Sequence, residues 1–373
     1  MSTTMSPPDP SLVEGLDEPL QALDPDGVRH EHELLDPHLT DVDETVLTDL
    51  FIDMSIVRRI DEEAVALQRQ GELGLWPPLL GQEAAQIGMV RVLDDQDFLF
   101  TSYREHALAW CRGVRAEEML SVWRGTTYSG WDPFERHMAT PQIIIGAQTL
   151  HAAGYAMATR FAGGGEIAVA CFGDGAMSQG DTNEAMVFAA AFGAPVLFFC
   201  QNNQYAISEP VSVQTPVPIA LRPTGFGIPA LRVDGNDVLA VRAATKIAAA
   251  HLRAGKGPMF IEAVTYRMGP HTTSDDPKRY RDEAEVEHWA GRCPLVRLGK
   301  HLEGIGAPMD SIRAEAKIRA DEVARSLRAA ITTMAPPPPQ ALFDHVYTTE
   351  DAGLQAQRRQ WEQFEASLEP EAS

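Results

Sequence analysis

The chain has 373 residues, with 31 basic and 53 acidic side chains and a formal net charge of −22. That balance argues against nucleic acid or an anionic membrane surface as a partner, since both are themselves negatively charged. No apolar run approaches the ~20 residues needed to cross a bilayer, and the four cysteines lie far apart with no C-x-x-C spacing. A cytoplasmic globular protein with unpaired thiols is therefore expected.

Residues 1–50 carry thirteen acidic residues and one basic one, Arg29, together with six prolines and little apolar periodicity. Residues 1–42 thus read as an acidic, disordered arm, dispensable for folding. Neither an Arg- and Ser-rich transit peptide nor an apolar signal core is present. His30, His32 and His38 read as solvated imidazoles rather than a metal site.

Order is expected from Asp43. Between Thr45 and Gln70 the residues Leu47, Leu50, Phe51, Met54, Val57, Ile60, Ala64 and Leu67 recur every three or four positions, the pattern of an amphipathic helix stopped at Gly71. Gly81–Leu93 and Arg104–Cys111 also read as helical, and Ser129–Gly146 as a long ordered loop. Beyond it, short apolar runs (Glu166–Phe172, Pro195–Cys200, Ala230–Val233, Met259–Tyr266) alternate with helical stretches (Gly180–Phe192, Asn236–Leu252). This alternation predicts an α/β fold, a mainly parallel sheet flanked by helices. Asp282–Gly304 and Asp310–Met334 read as helices, so one α/β domain spans 43–334. A stiff Pro336–Pro339 spacer and a tail fill 335–373.

Ligands of such sheets sit at the carboxyl ends of the strands. There the sequence gives Gly173-Asp174-Gly175-Ala176 after one run and Gln201-Asn202-Asn203-Gln204-Tyr205 after the next. Glycines let backbone amides approach an anion such as a diphosphate. Asp174 and the Asn203 amide offer hard oxygens, and a loop carbonyl could add a third, a donor set suited to octahedral magnesium. Either element alone would read as a turn; the pair, each after an apolar strand, is far more specific. A nicotinamide fingerprint fails, because Gly180 falls too late for G-x-G-x-x-G and Gly163–Gly165 precedes its strand.

A GDG followed some thirty residues later by NN resembles the thiamine-diphosphate motif. The surrounding segments (GQEAAQIG at Gly81–Gly88, SYREH at Ser102–His106, QNNQYAIS at Gln201–Ser208, RVDGND at Arg232–Asp237, and the run from Thr265 to Arg281) are similar to the α subunits of 2-oxo acid dehydrogenase decarboxylating components. The likeness runs from Val46 to Tyr347, ending in Leu342-Phe343-Asp344-His345-Val346-Tyr347, and around Thr272–Pro277 it leans toward the branched-chain enzymes.

The resemblance implies a thiamine-diphosphate-binding fold. It implies Mg²⁺ held by Asp174, Asn203 and the Tyr205 carbonyl. Gly175, Ala176, Tyr103 and Arg104 would meet the diphosphate, with Ser102, Ile143 and Ile145 lining the cofactor and His271 facing it as an acid–base group. Asp275 and Asp276, with Arg267 and Arg281, look suited to ordering the His271 loop through ion pairs. The reaction implied is oxidative decarboxylation of a 2-oxo acid with acyl transfer to a lipoyl group. It would need a β subunit, in an assembly of two α and two β chains, and a lipoylated acyltransferase. Alternatives are a pyruvate or acetoin dehydrogenase α subunit, or a non-enzymatic acidic scaffold. Three departures stand out. Gln201 occupies a position where branched-chain members can have arginine. Only Gln148 matches the potassium-binding stretch, so potassium is not expected. Thr272 replaces the serine phosphorylated in mitochondrial relatives.

Overall fold

The computed structural model describes residues 15–127, 129–344 and 346–368. The first helix, α1 (Glu44–Arg69), starts where the Asp43 carboxylate accepts the Val46 amide at 2.9 Å and ends before Gly71, whose φ is +81°. It is followed by α2 (Glu83–Val90), β1 (Phe98–Phe100), α3 (His106–Cys111), α4 (Ala116–Arg124) and α5 (Ala147–Ala162). Next come β2 (Ala168–Gly173), α6 (Gly180–Phe192), β3 (Val196–Asn202), the short strands β4 (Tyr205–Ala206) and β5 (Glu209–Pro210), and the single turn α7 (Val211–Gln214). The chain continues through β6 (Ala230–Asp234), α8 (Val238–Arg253), β7 (Met259–Val264), α9 (Glu283–Ala290), α10 (Pro294–Gly304), α11 (Met309–Thr333) and α12 (Ala352–Leu368).

Five strands form one parallel sheet in the order β1-β2-β3-β7-β6. Burial on both faces explains the continuous apolar runs of β2, β3 and β7. Alternate side chains enter two cores. Val169, Cys171, Leu197, Phe199 and Ile261 pack under α1, α2, α8 and α11, while Ala170, Phe172, Phe198, Cys200 and Phe260 pack under α5 and α6. In the register, Gly173 lies beside Gln201, and Asn202 beside Val264, so the residues after β2 and β3 emerge together at one sheet end. All four cysteines are free, and no described helix is long and apolar enough to cross a membrane.

The sequence pattern missed β1, α4 and α5. The first is too short to show a period, and α5 opens at Gly146 with φ +88°, inside what reads as loop. The expected helix Asp282–Gly304 is broken into α9 and α10 by Gly291 and Pro294.

The larger correction concerns the N-terminal arm. Residues 1–14 lie outside the described residues, but Leu20, Ala22, Leu23, Leu35 and Leu39 are buried in the core. Leu20 bridges Val233 in parallel on the free edge of β6, donating to the Arg232 carbonyl at 2.8 Å and accepting from the Asp234 amide at 2.9 Å. The amides of Ala22 and Leu23 both donate to Asp237 Oδ2 at 2.6 Å, and Arg297 donates to the Leu23 carbonyl at 3.2 Å. Acidic composition had suggested an unstructured segment. Five buried apolar residues and an unpaired sheet edge offset the ordering entropy instead. At the other end the tail is helical in α12, though none of its residues is buried.

Candidate active site

A cleft opens at the carboxyl ends of β2 and β3. Ser102, Tyr103, Arg104, Ile145, Asp174, Gly175, Ala176, Asn203, Tyr205 and His271 all line it. Ile143 does not. It is solvent-exposed just before α5, as is the neighbouring Ile144.

Asp174 heads the tight turn Asp174–Ser178 that links β2 to α6, and its buried carboxylate accepts a hydrogen bond from Gln214 Nε2 at 2.8 Å. Burial pushes its pKa up to about 6, with Gln214 and the more distant Arg267 pulling the other way. Gly175 is glycine because of crowding: a Cβ there would come within 2.7 Å of the Ala206 Cβ in β4. Asn203 donates through Nδ2 to Gln82 Oε1 at 3.1 Å, and its Oδ1 accepts only a long 3.4 Å bond from the Tyr205 amide. Two hard oxygen groups thus stand on neighbouring strand ends.

Opposite them are two guanidiniums. Buried Arg104 donates to the Pro78 carbonyl at 2.6 Å and the His271 carbonyl at 2.9 Å, and lies over the Tyr103 ring. Arg267, which the sequence does not mark as a site residue, is about 1% exposed. It donates to the carbonyls of Tyr205 (3.0 Å) and Ile207 (2.7 Å) and to the Tyr280 hydroxyl (3.0 Å). It thereby holds a turn in which Gln204 and the β-branched Ile207 take φ of +75° and +58°, the kind of backbone strain that collects at functional sites. Among the described residues, neither guanidinium has a carboxylate within ion-pair distance, and the buried Nε of Arg267 has no hydrogen-bond partner.

The expected ion pairs of the His271 loop are replaced by hydrogen bonds. Asp275 accepts the His271 amide at 2.8 Å and the Tyr280 hydroxyl, while Arg281 donates to the carbonyls of Arg267, Met268 and Gly269. Carbonyls freed by the irregular backbone satisfy the arginines more directly than flexible carboxylates would.

Glu105 also lines the cleft without having been singled out. Burial pushes its carboxyl up to about 7, and it accepts hydrogen bonds from Ser102 Oγ (2.8 Å) and Gln201 Nε2 (2.7 Å). Gln201 in turn accepts from Gln86 at 3.0 Å. The Ser102 hydroxyl and the Gln201 amide are therefore held by the protein. Gln82, quoted in sequence only as part of a shared segment, presents a buried Nε2 with no partner.

The donor set fits a magnesium diphosphate. Asp174 and Asn203 supply hard oxygens, the glycine-flanked turn Gly173–Ala176 lines the same space, and, among the described residues, the buried guanidiniums of Arg104 and Arg267 have no carboxylate within ion-pair distance. The Tyr205 carbonyl is less free than the sequence implies, since Arg267 already occupies one of its lone pairs. Among the described residues, no group of three or more His, Cys, Asp or Glu side chains could hold a metal, His30, His32 and His38 included.

Residues 53–333 match the family model described as the dehydrogenase E1 component. The 3-methyl-2-oxobutanoate dehydrogenase subunit alpha of Mycobacterium tuberculosis is 44% identical over 348 residues, covering 92% of this chain and 93% of its own. The pyruvate dehydrogenase E1 component subunit alpha of Staphylococcus aureus is 42% identical over 291 residues, 78% of each chain.

Proposed function

This chain belongs to the dehydrogenase E1 component family, and we propose that it is the α subunit of a branched-chain 2-oxo acid dehydrogenase that holds thiamine diphosphate through Mg²⁺ in the β2/β3 cleft. When bound, that cofactor supplies the nucleophilic carbon and the electron sink that decarboxylation of a 2-oxo acid requires. Asp174, Asn203 and the Tyr205 carbonyl would hold the metal. The backbone at Gly175 and Ala176 would meet the diphosphate, with Arg104 neutralising its charge and Tyr103, Ser102 and Ile145 enclosing it. His271 would face the reacting atoms. The observation that carries the reading is the opposition of two oxygen donors on adjoining strand ends to two buried guanidiniums that, among the described residues, have no carboxylate within ion-pair distance.

The branched-chain preference rests on the Mycobacterium tuberculosis relative, which this chain matches over most of both lengths. A β subunit and a lipoylated acyltransferase are the partners proposed. A covering chain fits the exposed apolar residues next to cleft residues: Ile207 lines the cleft, Ile143 and Ile144 precede the lining Ile145, and Val213 precedes Gln214, which bonds Asp174.

Calorimetric titration with thiamine diphosphate and Mg²⁺, in the presence of the β partner, tests the site. Asp174→Ala and Asn203→Ala should each lose metal-dependent binding; near-native affinity in both would sink the assignment. With the assembled enzyme, 3-methyl-2-oxobutanoate should exceed pyruvate in kcat/KM, and a tenfold preference for pyruvate would reverse the substrate reading.

A further inference from the structure

His271 sits half-buried at the cleft wall, edge-on to Tyr103, with its ring turned toward two arginines. Nδ1 lies 3.3 Å from Arg104 Nη2 and 3.4 Å from Arg267 Nη1. A guanidinium carries only donors and does not lose its proton in proteins. Facing two of them, Nδ1 can only be the acceptor, so the single proton of a neutral imidazole must reside on Nε2. Nε2 makes no hydrogen bond to the described protein.

We infer that Arg267 is a positioning residue which, with Arg104, locks His271 as the neutral Nε2–H tautomer and so presents a fixed hydrogen-bond donor to the cleft. The loop geometry supports this. Arg267 is anchored by the Tyr205 and Ile207 carbonyls, Tyr280 bonds both Arg267 and Asp275, and Asp275 fixes the His271 backbone amide. The charged groups facing the imidazole are Arg104, Arg267 and Asp275. Burial, followed by the two guanidiniums, holds its pKa down at about 3, with Asp275 pulling weakly the other way.

The consequence alters the role expected for His271. A neutral imidazole N–H is far too weak an acid to give up its proton, so the residue does not act as the proton donor. It stabilises negative charge developing on a substrate oxygen, as a preorganised donor does. That role rests on the function proposed above; the tautomer itself is a property of the chain alone.

Ring-15N histidine NMR of the full chain tests it, with the His271 signals assigned by their loss in His271→Gln. The wild-type chain should show an Nε2-bound proton and no imidazolium between pH 5 and 8, close to the range in which an ordinary histidine titrates. An Nδ1-bound proton, or titration near the ordinary value, would overturn the inference. Arg267→Met should raise the titration midpoint by about one unit or more, the scale on which a nearby charge acts. Arg267→Gln, which keeps an N–H donor and disturbs packing less, reads the same shift if the Met variant fails to fold. An unchanged midpoint in a folded variant would remove Arg267 from the lock. A chain that binds no thiamine diphosphate even with the β partner present, yet shows the Nε2–H tautomer, would refute the functional reading and leave this one standing.

Discussion

Residues 20–42 and 352–368 flank the α/β core from the two chain ends, and both lie in stretches whose sequence reads as tail. The N-terminal strap is bound at every level: four of its five leucines are buried, its backbone pairs with the edge of β6, and Asp237 and Arg297 satisfy its next polar groups. The C-terminal helix α12 carries a comparable apolar stripe in Leu354, Trp361, Phe364 and Leu368. Trp361 reaches the Phe343 ring and Arg358 pairs with Asp344 at 3.7 Å, yet no residue of the helix is buried. Apolar content does not separate the two. What separates them is a surface with matching unsatisfied hydrogen-bond groups, which an edge strand provides.

Deletion is the strongest way to break this comparison. Removing residues 1–42 takes away several buried leucines, each worth about 2–5 kcal/mol on truncation, from a protein whose total stability is about 5–15 kcal/mol. The shortened chain should lose its cooperative calorimetric transition and scatter light through its bare sheet edge. Removing 352–373 should leave the transition within a few degrees. Equal melting of the two deletions would mean that the strap contacts contribute nothing.

Single residues sharpen the contrast. Leu23 is fully buried, so Leu23→Ala should cost about 2–5 kcal/mol in urea unfolding, whereas Leu354→Ala should stay within about 0.5 kcal/mol. Asp237 is the joint between strap and core. One carboxylate oxygen takes the Ala22 and Leu23 amides, and the other caps α8 through Leu239 and Ala240. Asp237→Asn keeps one oxygen and loses the other, for about 1–2 kcal/mol. Limited proteolysis should then cut the strap faster. A cutting rate equal to wild type would show that Asp237 serves only as the helix cap.

These ends also show how much the sequence discloses. The sheet strands were legible because burial on both faces writes continuous apolar runs, and the oxygen donors Asp174 and Asn203 because they follow two such runs directly. The strap was not: its leucines have no period, since they pack on pre-existing elements rather than building one. Within the cleft, Arg267, Glu105 and Gln82 were missed for a related reason. Their roles depend on which carbonyls and side chains face them across 62 to 121 residues of chain, and local spacing carries no trace of that. Ile143, expected from the resemblance to line the cofactor, lies outside the residues lining this cleft and is exposed before α5.

The smallest expected effect is the acid sensitivity of the strap's last anchor. Asp41 pairs with Arg242 at 2.7 Å and with Lys246. Partial burial pushes its carboxyl up, but Lys246 and Arg242 outweigh this and hold it from 3.8 down to about 2. The unfolded chain therefore takes up the proton first, so the stabilisation is present above pH 3.8 and fades as the pH falls toward 2. His38, held below its ordinary 6.5 by burial and by Lys246, also loses its contribution on acidification, but starting from pH 6.5, and Asp41→Asn leaves that part intact. Because Asp41 is largely exposed, the pair is worth about 0–1 kcal/mol at neutral pH. Asp41→Asn should be destabilised by that amount at pH 7 and become indistinguishable from wild type near pH 2. A difference that persists at pH 2 would show that Asp41 holds the strap by its shape rather than by its charge.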